Sequence, residues 1–382
     1  MTELDYQSPA PADAAGLTEL FSAELVPVIR RMGERDRDDL DPGPGADTGT
    51  RHAVWSGLAD LGVIERAVPS AAGEFGGLRD CLETAEIMGT ALYQDLFFDT
   101  VTAAEMIAGA DDGKEQLTAI RAGEITVAVA ARDGGASDPL IPGPVRYSPE
   151  SGTVTATRRF VCYAGEADFL LVIGRLGDDP AAAPGAFLVP AEQPGVRLRR
   201  HHEVGRGGLY AVDLDAASAR PLGPPRDLAW SWPAVLARAR LRHAAYLVGL
   251  ASGAIDLTLA WTRRRRVFGK PLAHHQAPAF RLAALASRAE AVRMLTLRSA
   301  KAADAGTCSR QAACYALMLA ADLALDAGAE AIQLHGSLGL LETSDAQLFY
   351  RRAVVDSVLL GTGRQLRAEA TRLRERAGGD AG

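Results

Sequence analysis

Lysine is almost missing from this chain: of its 41 basic residues only Lys114, Lys270 and Lys301 are lysines. Arginine carries the positive charge, and its planar fork suits phosphates and carboxylates better than a point-charge ammonium does. Cysteine is also scarce, with Cys81, Cys162, Cys308 and Cys314 and no C-x-x-C spacing. That argues against a zinc ribbon or a redox pair. A disulfide framework is not needed by 382 residues, which can bury their own core. No H-E-x-x-H occurs, and the pairs His201-His202 and His274-His275 are sequence neighbours that cannot share a helix face. No metal site is expected. There is no G-x-G-x-x-G after a strand and no Walker A pattern; Gly73, Gly76 and Gly77 lie between helical segments. The formal net charge of -7 lacks the basic footprint of a binder of nucleic acid or anionic membranes. The acidic, Pro/Ala-rich start has neither a basic n-region nor an apolar h-region. No uninterrupted apolar run approaches a membrane span of about 20 residues; the stretch 236–255 is broken by Arg238, Arg240, Arg242 and His243. The expectation is a soluble, cytoplasmic protein with no nucleic acid and no membrane as partner.

What is present falls into three zones. After a loose tail to about residue 14, apolar residues recur at helical spacing over 17–31, and a breaker-rich loop follows at 41–50. Helical periodicity returns at 51–62, 79–93, 96–109 and 113–121. Short β-branched or aromatic runs at 125–131, 152–164, 169–176, 185–191 and 209–216, separated by Gly, Pro and Asp, predict a sheet-rich middle. From about Trp230 the pattern is helical again, over 234–264, 276–303, 309–334 and 344–376. These segments exceed the usual helix length, and their Ala-rich faces suit a bundle, one that subunits could share. The reading is an α+β chain of three parts: 1–122 helical, 123–228 a β-sandwich or barrel, and 229–382 a helical bundle.

The most informative segment is Arg263-Arg-Arg-Arg-Val-Phe-Gly-Lys-Pro-Leu272. Basic residues at a helix C-terminus complement its dipole, and Gly and Pro stop it. The alternative is an arginine aimed at a phosphate beside a turn that presents Phe268. Arg265-x-x-Phe-Gly-Lys-Pro-Leu-x-x-x-Gln276 resembles the motif of the acyl-CoA dehydrogenase family. So do Gly62-Val-Ile-Glu-Arg-Ala-Val-Pro with Glu74-Phe-Gly-Gly-Leu, Ala164-Gly-Glu-Ala-Asp168 before FLLVIGR, Ala186-Phe-Leu-Val-Pro with Pro194-Gly-Val, and Ala331-Ile-Gln-Leu-His-Gly-Ser-Leu-Gly339. The matches occur in order over about 300 residues. The resemblance implies a helical domain, a β domain and a four-helix bundle. It implies FAD held between subunits and a hydride taken from Cβ of an acyl-thioester. Carried over, Arg265 meets a neighbouring subunit's flavin pyrophosphate and Phe268 its adenosine part, with Gln276 closing that motif. Gln333, His335 and Gly336 form the second wall, Thr362 follows the catalytic position, Ser137 belongs to the G-S-D turn, and Phe160 replaces a Trp beside the ring.

The departures are chemical. The family's base is a Glu before Gly-Thr, and here that position is Leu360; the alternative position before Arg240 is Ala239. Neither can take a proton. The flavin-contacting Thr is Ala131, and Trp-x-Thr reads Phe160-Val-Cys162, so two hydroxyls are gone. Substitute bases are Asp95, Asp99, Glu105 and His243, each readable also as ordinary surface charge or bundle packing. Arg240 and Arg364 are candidates for an anionic substrate, Arg364 replacing a second acid. Three readings stay open: a flavoprotein acting on a CoA- or carrier-bound acyl-thioester or a specialised metabolite with a non-standard base; a non-catalytic subunit beside a homologous partner; and a flavin-dependent monooxygenase. A homodimer, homotetramer or heteromer is expected.

Overall fold

The computed structural model describes residues 55–70, 77–110, 113–134, 138–176, 184–205, 207–224, 228–307 and 309–379. The helix expected over 17–31, the loop at 41–50, the start of the segment 51–62, Glu74 and Ser137 lie outside them. The first helices are α1 (Val63–Ala67), α2 (Leu78–Thr90), α3 (Phe97–Ala108) and α4 (Lys114–Arg121). Helix α3 starts where Asp95 accepts the amide of Phe97 at 2.8 Å, one of the donors a helix start leaves unpaired.

Eight strands follow: β1 (Val127–Ala130), β2 (Pro144–Ser148), β3 (Thr153–Cys162), β4 (Phe169–Leu176), β5 (Pro184–Pro190), β6 (Val196–Arg200), β7 (Leu209–Ser218) and β8 (Arg220–Leu222). They form one sheet in the order β6-β7-β3-β2-β4-β5-β8, with β1 parallel to the start of β4. Residues of β2, β3, β4, β5 and β7 enclose a core of their own, as expected of a sandwich or barrel domain. Strands β2, β6 and β8 are absent from the sequence reading because they are short and largely exposed, and lack an apolar run. The β3–β7 ladder has a bulge between Arg158 and Val161, where Phe160 takes a positive φ of 57°. A bulge adds an unpaired residue and re-aims its side chain.

The bundle contains α5 (Trp232–Arg264), α6 (Gln276–Asp304), α7 (Arg310–His335), α8 (Asp345–Asp356) and α9 (Gly363–Gly379). The single segment expected over 344–376 is two helices, parted by the turn 357–362 with Gly361 at φ 125°. Thr362 and Gln365 start α9 as a reciprocal cap: the Thr362 amide donates to Gln365 Oε1 at 2.9 Å, and the Gln365 amide donates to Thr362 Oγ1 at 3.3 Å. Helices α5 and α7 are long and apolar enough to cross a membrane by length and composition. Within the protein, 67% and 56% of their apolar windows are buried, as in core helices. Helix α2 crosses α5 at Gly89 and Gly249; a Cβ on either would lie 2.0 Å from the opposing carbonyl oxygen of Tyr246 or Glu86. One apolar core runs through the N-terminal helices and the bundle, and a second lies within the sheet. Helix α6 differs from its neighbours: it buries one narrow stripe, including Leu282, Leu285, Ala289 and Val292, and leaves Phe280 and Met294 exposed.

Candidate functional site

A cavity forms where α3, the ends of β1 and β3, α5 and the turn 357–362 converge. Helix α5 lends Trp232, Leu236, Ala239 and His243, spaced so that they share one face. The turn lends Leu359 and Leu360. Ala239 and Leu360, the two positions that the resemblance assigns to a catalytic Glu, therefore open on the same cavity, and both are aliphatic. Asp95, Asp99 and Thr102 line the α3 side, and Ala131, Arg132, Phe160 and Cys162 the sheet side.

Arg132 decides the shape of this space. It donates to the carbonyls of Val358 at 3.1 Å and Leu359 at 3.3 Å, joining the sheet to the turn. Its guanidinium stands 5.4 Å from the centre of the Phe160 ring, which also stacks on His201 at 5.0 Å. Arg132 escaped the sequence reading; its signal was a lone arginine directly after an apolar strand. Burial lowers its pKa without removing its charge. Burial also pushes the Cys162 thiol well above its ordinary value, so it stays neutral.

The candidate bases separate clearly. Asp99 is half-buried, accepts the Val129 amide at 2.9 Å, and has its pKa raised to about 7 by desolvation, against the pull of that amide and of Arg242. Asp95 is occupied by Tyr93 Oη at 2.8 Å and the α3 amide. Glu105 does not line the cavity: it holds Arg238 at 2.9 Å and Arg242 at 2.6 Å in a buried triad. His243 meets the Asp356 carbonyl at 2.7 Å, stacks on Tyr246, and is lowered to about 4 by burial. It is neutral and wedged into the bundle.

Two arginines proposed for substrate lie elsewhere. Arg240 is buried behind the turn, donating to the Leu360 carbonyl at 3.1 Å and paired with Glu369 at 2.6 Å. Arg364 is exposed on the first turn of α9, outside the cavity lining. The Thr362 hydroxyl is committed to the α9 cap, donating to Gln365 Oε1 at 3.0 Å.

The other group from the motif reading gathers at the far end of α5. Trp261 donates to the Leu334 carbonyl at 3.0 Å and stacks on His335 at 5.1 Å, which brings the end of α7 beside the Arg265 loop. There Arg265, Phe268, Gln276, Gln333 and Gly336 are all exposed. Phe268 is 94% exposed at φ 48°, and Arg265 has no side-chain partner among the described residues. No metal-competent cluster of His, Cys, Asp and Glu occurs among the described residues.

Residues 233–372 match the family model described as the C-terminal domain of acyl-CoA dehydrogenases. Cyclohex-1-ene-1-carbonyl-CoA dehydrogenase of Geobacter metallireducens is 28% identical over 80% of this chain and 85% of its own length. The chain spans about half the length of several other curated relatives it matches. Among solved structures, a variant of the Tcur3481-Tcur3483 steroid ACAD superposes with a TM-score of 0.82 at 27% identity, covering 97% of this chain and 98% of that one. The ChsE4-ChsE5 complex from Mycobacterium tuberculosis has the same fold, with a TM-score of 0.78 at 21% identity, covering 96% and 98%. The chain has the fold of the acyl-CoA dehydrogenases, and its C-terminal region matches their C-terminal domain.

The cavity of this chain does not fit a flavin ring. The space is about 70 Å³, against roughly 300–1,000 Å³ for sites that take a drug-sized ligand. Arg132 spans it, Phe160 already carries two stacked groups, and Ala131 and Cys162 supply no hydroxyl. The exposed end does fit an anionic diphosphate, since it presents a guanidinium with no side-chain partner among the described residues and, three residues on, an aromatic ring that is 94% exposed.

Proposed function

We propose that this chain is the non-catalytic subunit of a heteromeric acyl-CoA dehydrogenase that acts on an acyl-thioester, and that it completes the FAD site of a homologous partner. The observation that carries the reading is the Arg132 bridge across a cavity whose two base positions, Ala239 and Leu360, are aliphatic. A chain built this way neither seats the ring nor takes the substrate proton. Its outward half is kept: Arg265 meets the partner's flavin diphosphate, Phe268 covers the adenosine, and Gln333, His335 and Gly336 form the adjoining wall. The under-buried helix α6 and its exposed Phe280 supply an apolar surface beside that end. Two structural neighbours that carry paired names, the Tcur3481-Tcur3483 steroid ACAD and the ChsE4-ChsE5 complex, support a two-chain assembly. The test is the flavin spectrum of the chain made alone and made with a homologous partner. Colourless protein alone and yellow, active complex together are expected; a yellow, active homo-oligomer overturns the reading.

A second reading has one observation in its favour. Asp99 holds a carboxyl near neutrality inside the cavity, where a proton acceptor is most effective. On that reading Arg132 withdraws when substrate enters and Asp99 takes the α-proton. Asp99→Asn then abolishes turnover by the homo-oligomer, and the heteromeric reading expects no such turnover to abolish.

A further inference from the structure

A second cavity shares no lining residue with the first. It is a groove of about 500 Å³ between α2, α5 and α6, within the size range of small-molecule sites. Its origin is the close crossing of α2 and α5 at Gly89 and Gly249. The groove opens on the N-terminal side of that contact, along Arg79 and Leu82 of α2 and Ala245 and Val248 of α5. Polar contacts mark both ends. At one, the Leu78 amide donates to Asp304 at 2.9 Å. At the other, Arg293 donates to Glu86 at 2.7 Å and Ser252 at 3.1 Å, and also pairs with Glu290. From Arg293 to Asp304, α6 runs about 16 Å at 1.5 Å per residue.

The floor is apolar, from Leu82, Ala245, Val248 and Leu297. The rim is charged, and its acids are spoken for: Glu86 and Glu290 by Arg293, and Glu83 by another contact. Arg79, Arg298 and Lys301 face the same groove with no acidic partner among the described residues. Arg298 and Lys301 are three apart on α6 and share a side. An apolar trough with surplus cations suits an amphipathic anion. The nearest helix start, which would favour a phosphate, already has its Leu78 amide taken by Asp304.

We infer that this groove binds an aliphatic carboxylate, its chain on the Leu82–Val248–Leu297 floor and its head between Arg79, Arg298 and Lys301. The inference is independent of the subunit reading. The probe is decanoate, titrated calorimetrically into the full-length chain, or into the complex with its partner. Saturable binding is expected, weakened at least about tenfold by Arg298→Ala with Lys301→Ala, two exposed positions whose loss leaves folding intact. Arg132→Ala leaves it unchanged, which separates this groove from the first cavity. Absence of saturable binding, binding indifferent to the double variant, or equal binding of decyltrimethylammonium overturns the inference. Decyl phosphate binding where decanoate does not overturns the choice of head group.

Discussion

Two arginine–phenylalanine pairs in this molecule have opposite fates. Arg132 and Phe160 face inward at the junction of sheet and bundle; Arg265 and Phe268 face outward at the end of α5. Each Phe has a positive φ, 57° and 48°, which costs a non-glycine residue on the order of 1–3 kcal/mol. Inside, the cost is met by stacking on His201, by the guanidinium on the ring and by two carbonyls that accept from Arg132. Outside, Phe268 has only an edge contact with His275 at 6.4 Å, and Arg265 has no side-chain partner among the described residues. The same two residue types close one site and offer another. What differs is whether the chain supplies its own partners.

The inward side is the costlier to break. Glu105 has 2% of its side chain exposed and neutralises Arg238 and Arg242, themselves 6% and 1% exposed. Glu105→Gln leaves two buried guanidinium groups without a carboxylate, and a loss of about 3–5 kcal/mol is expected in urea unfolding. A loss under about 1 kcal/mol would show that this wall is not locked by charge.

Asp99 comes next, and its effect depends on pH. Its folded pKa lies near 7 against 3.8 for the free side chain. Between roughly pH 4 and 7 the native state therefore holds a proton that the unfolded chain has released, and stability falls as pH rises through that window. Asp99→Asn can keep the Val129 amide bond and does not titrate. Relative to the parent it should gain a few kcal/mol between pH 4 and pH 8. Parallel stability curves for parent and variant would remove the evidence that this carboxyl is held protonated.

Much of this was legible in order and little of it in contact. The long helices and five of the strands follow from apolar periodicity; the break inside 344–376 is marked by Gly361 and Gly363, a signal passed over because apolar residues continue through Leu359 and Leu360. That Leu360 and Ala239 carry no proton-accepting group could be read directly from the sequence. That both line one cavity could not, because it depends on how α5 packs against the turn. Arg240 and Thr362 read as site residues because motif position says nothing about which partner takes the hydrogen bond. Glu369, 129 residues beyond Arg240, and Gln365, three beyond Thr362, take them. Arg132 was invisible as a plug because its acceptors are backbone carbonyls more than 220 residues on.

Thr362 provides a smaller test of the same division. If its hydroxyl serves the α9 cap, Thr362→Ala costs about 1 kcal/mol of stability and leaves flavin retention by the complex untouched. Loss of flavin with unchanged stability would return Thr362 to the cofactor site.

Arg265 should show the reverse. Its side chain is exposed and has no partner among the described residues, so Arg265→Ala shifts the stability of the chain by no more than about 0.5 kcal/mol. In the complex with a homologous partner the same change removes a charge-assisted contact to the flavin diphosphate, and flavin retention on gel filtration falls about tenfold or more. Arg265→Lys recovers charge but not the two-point fork, and recovers retention only in part. Equal retention in all three proteins would mean that the outward pair offers nothing to the cofactor, and the contrast between the two ends would reduce to one of burial alone.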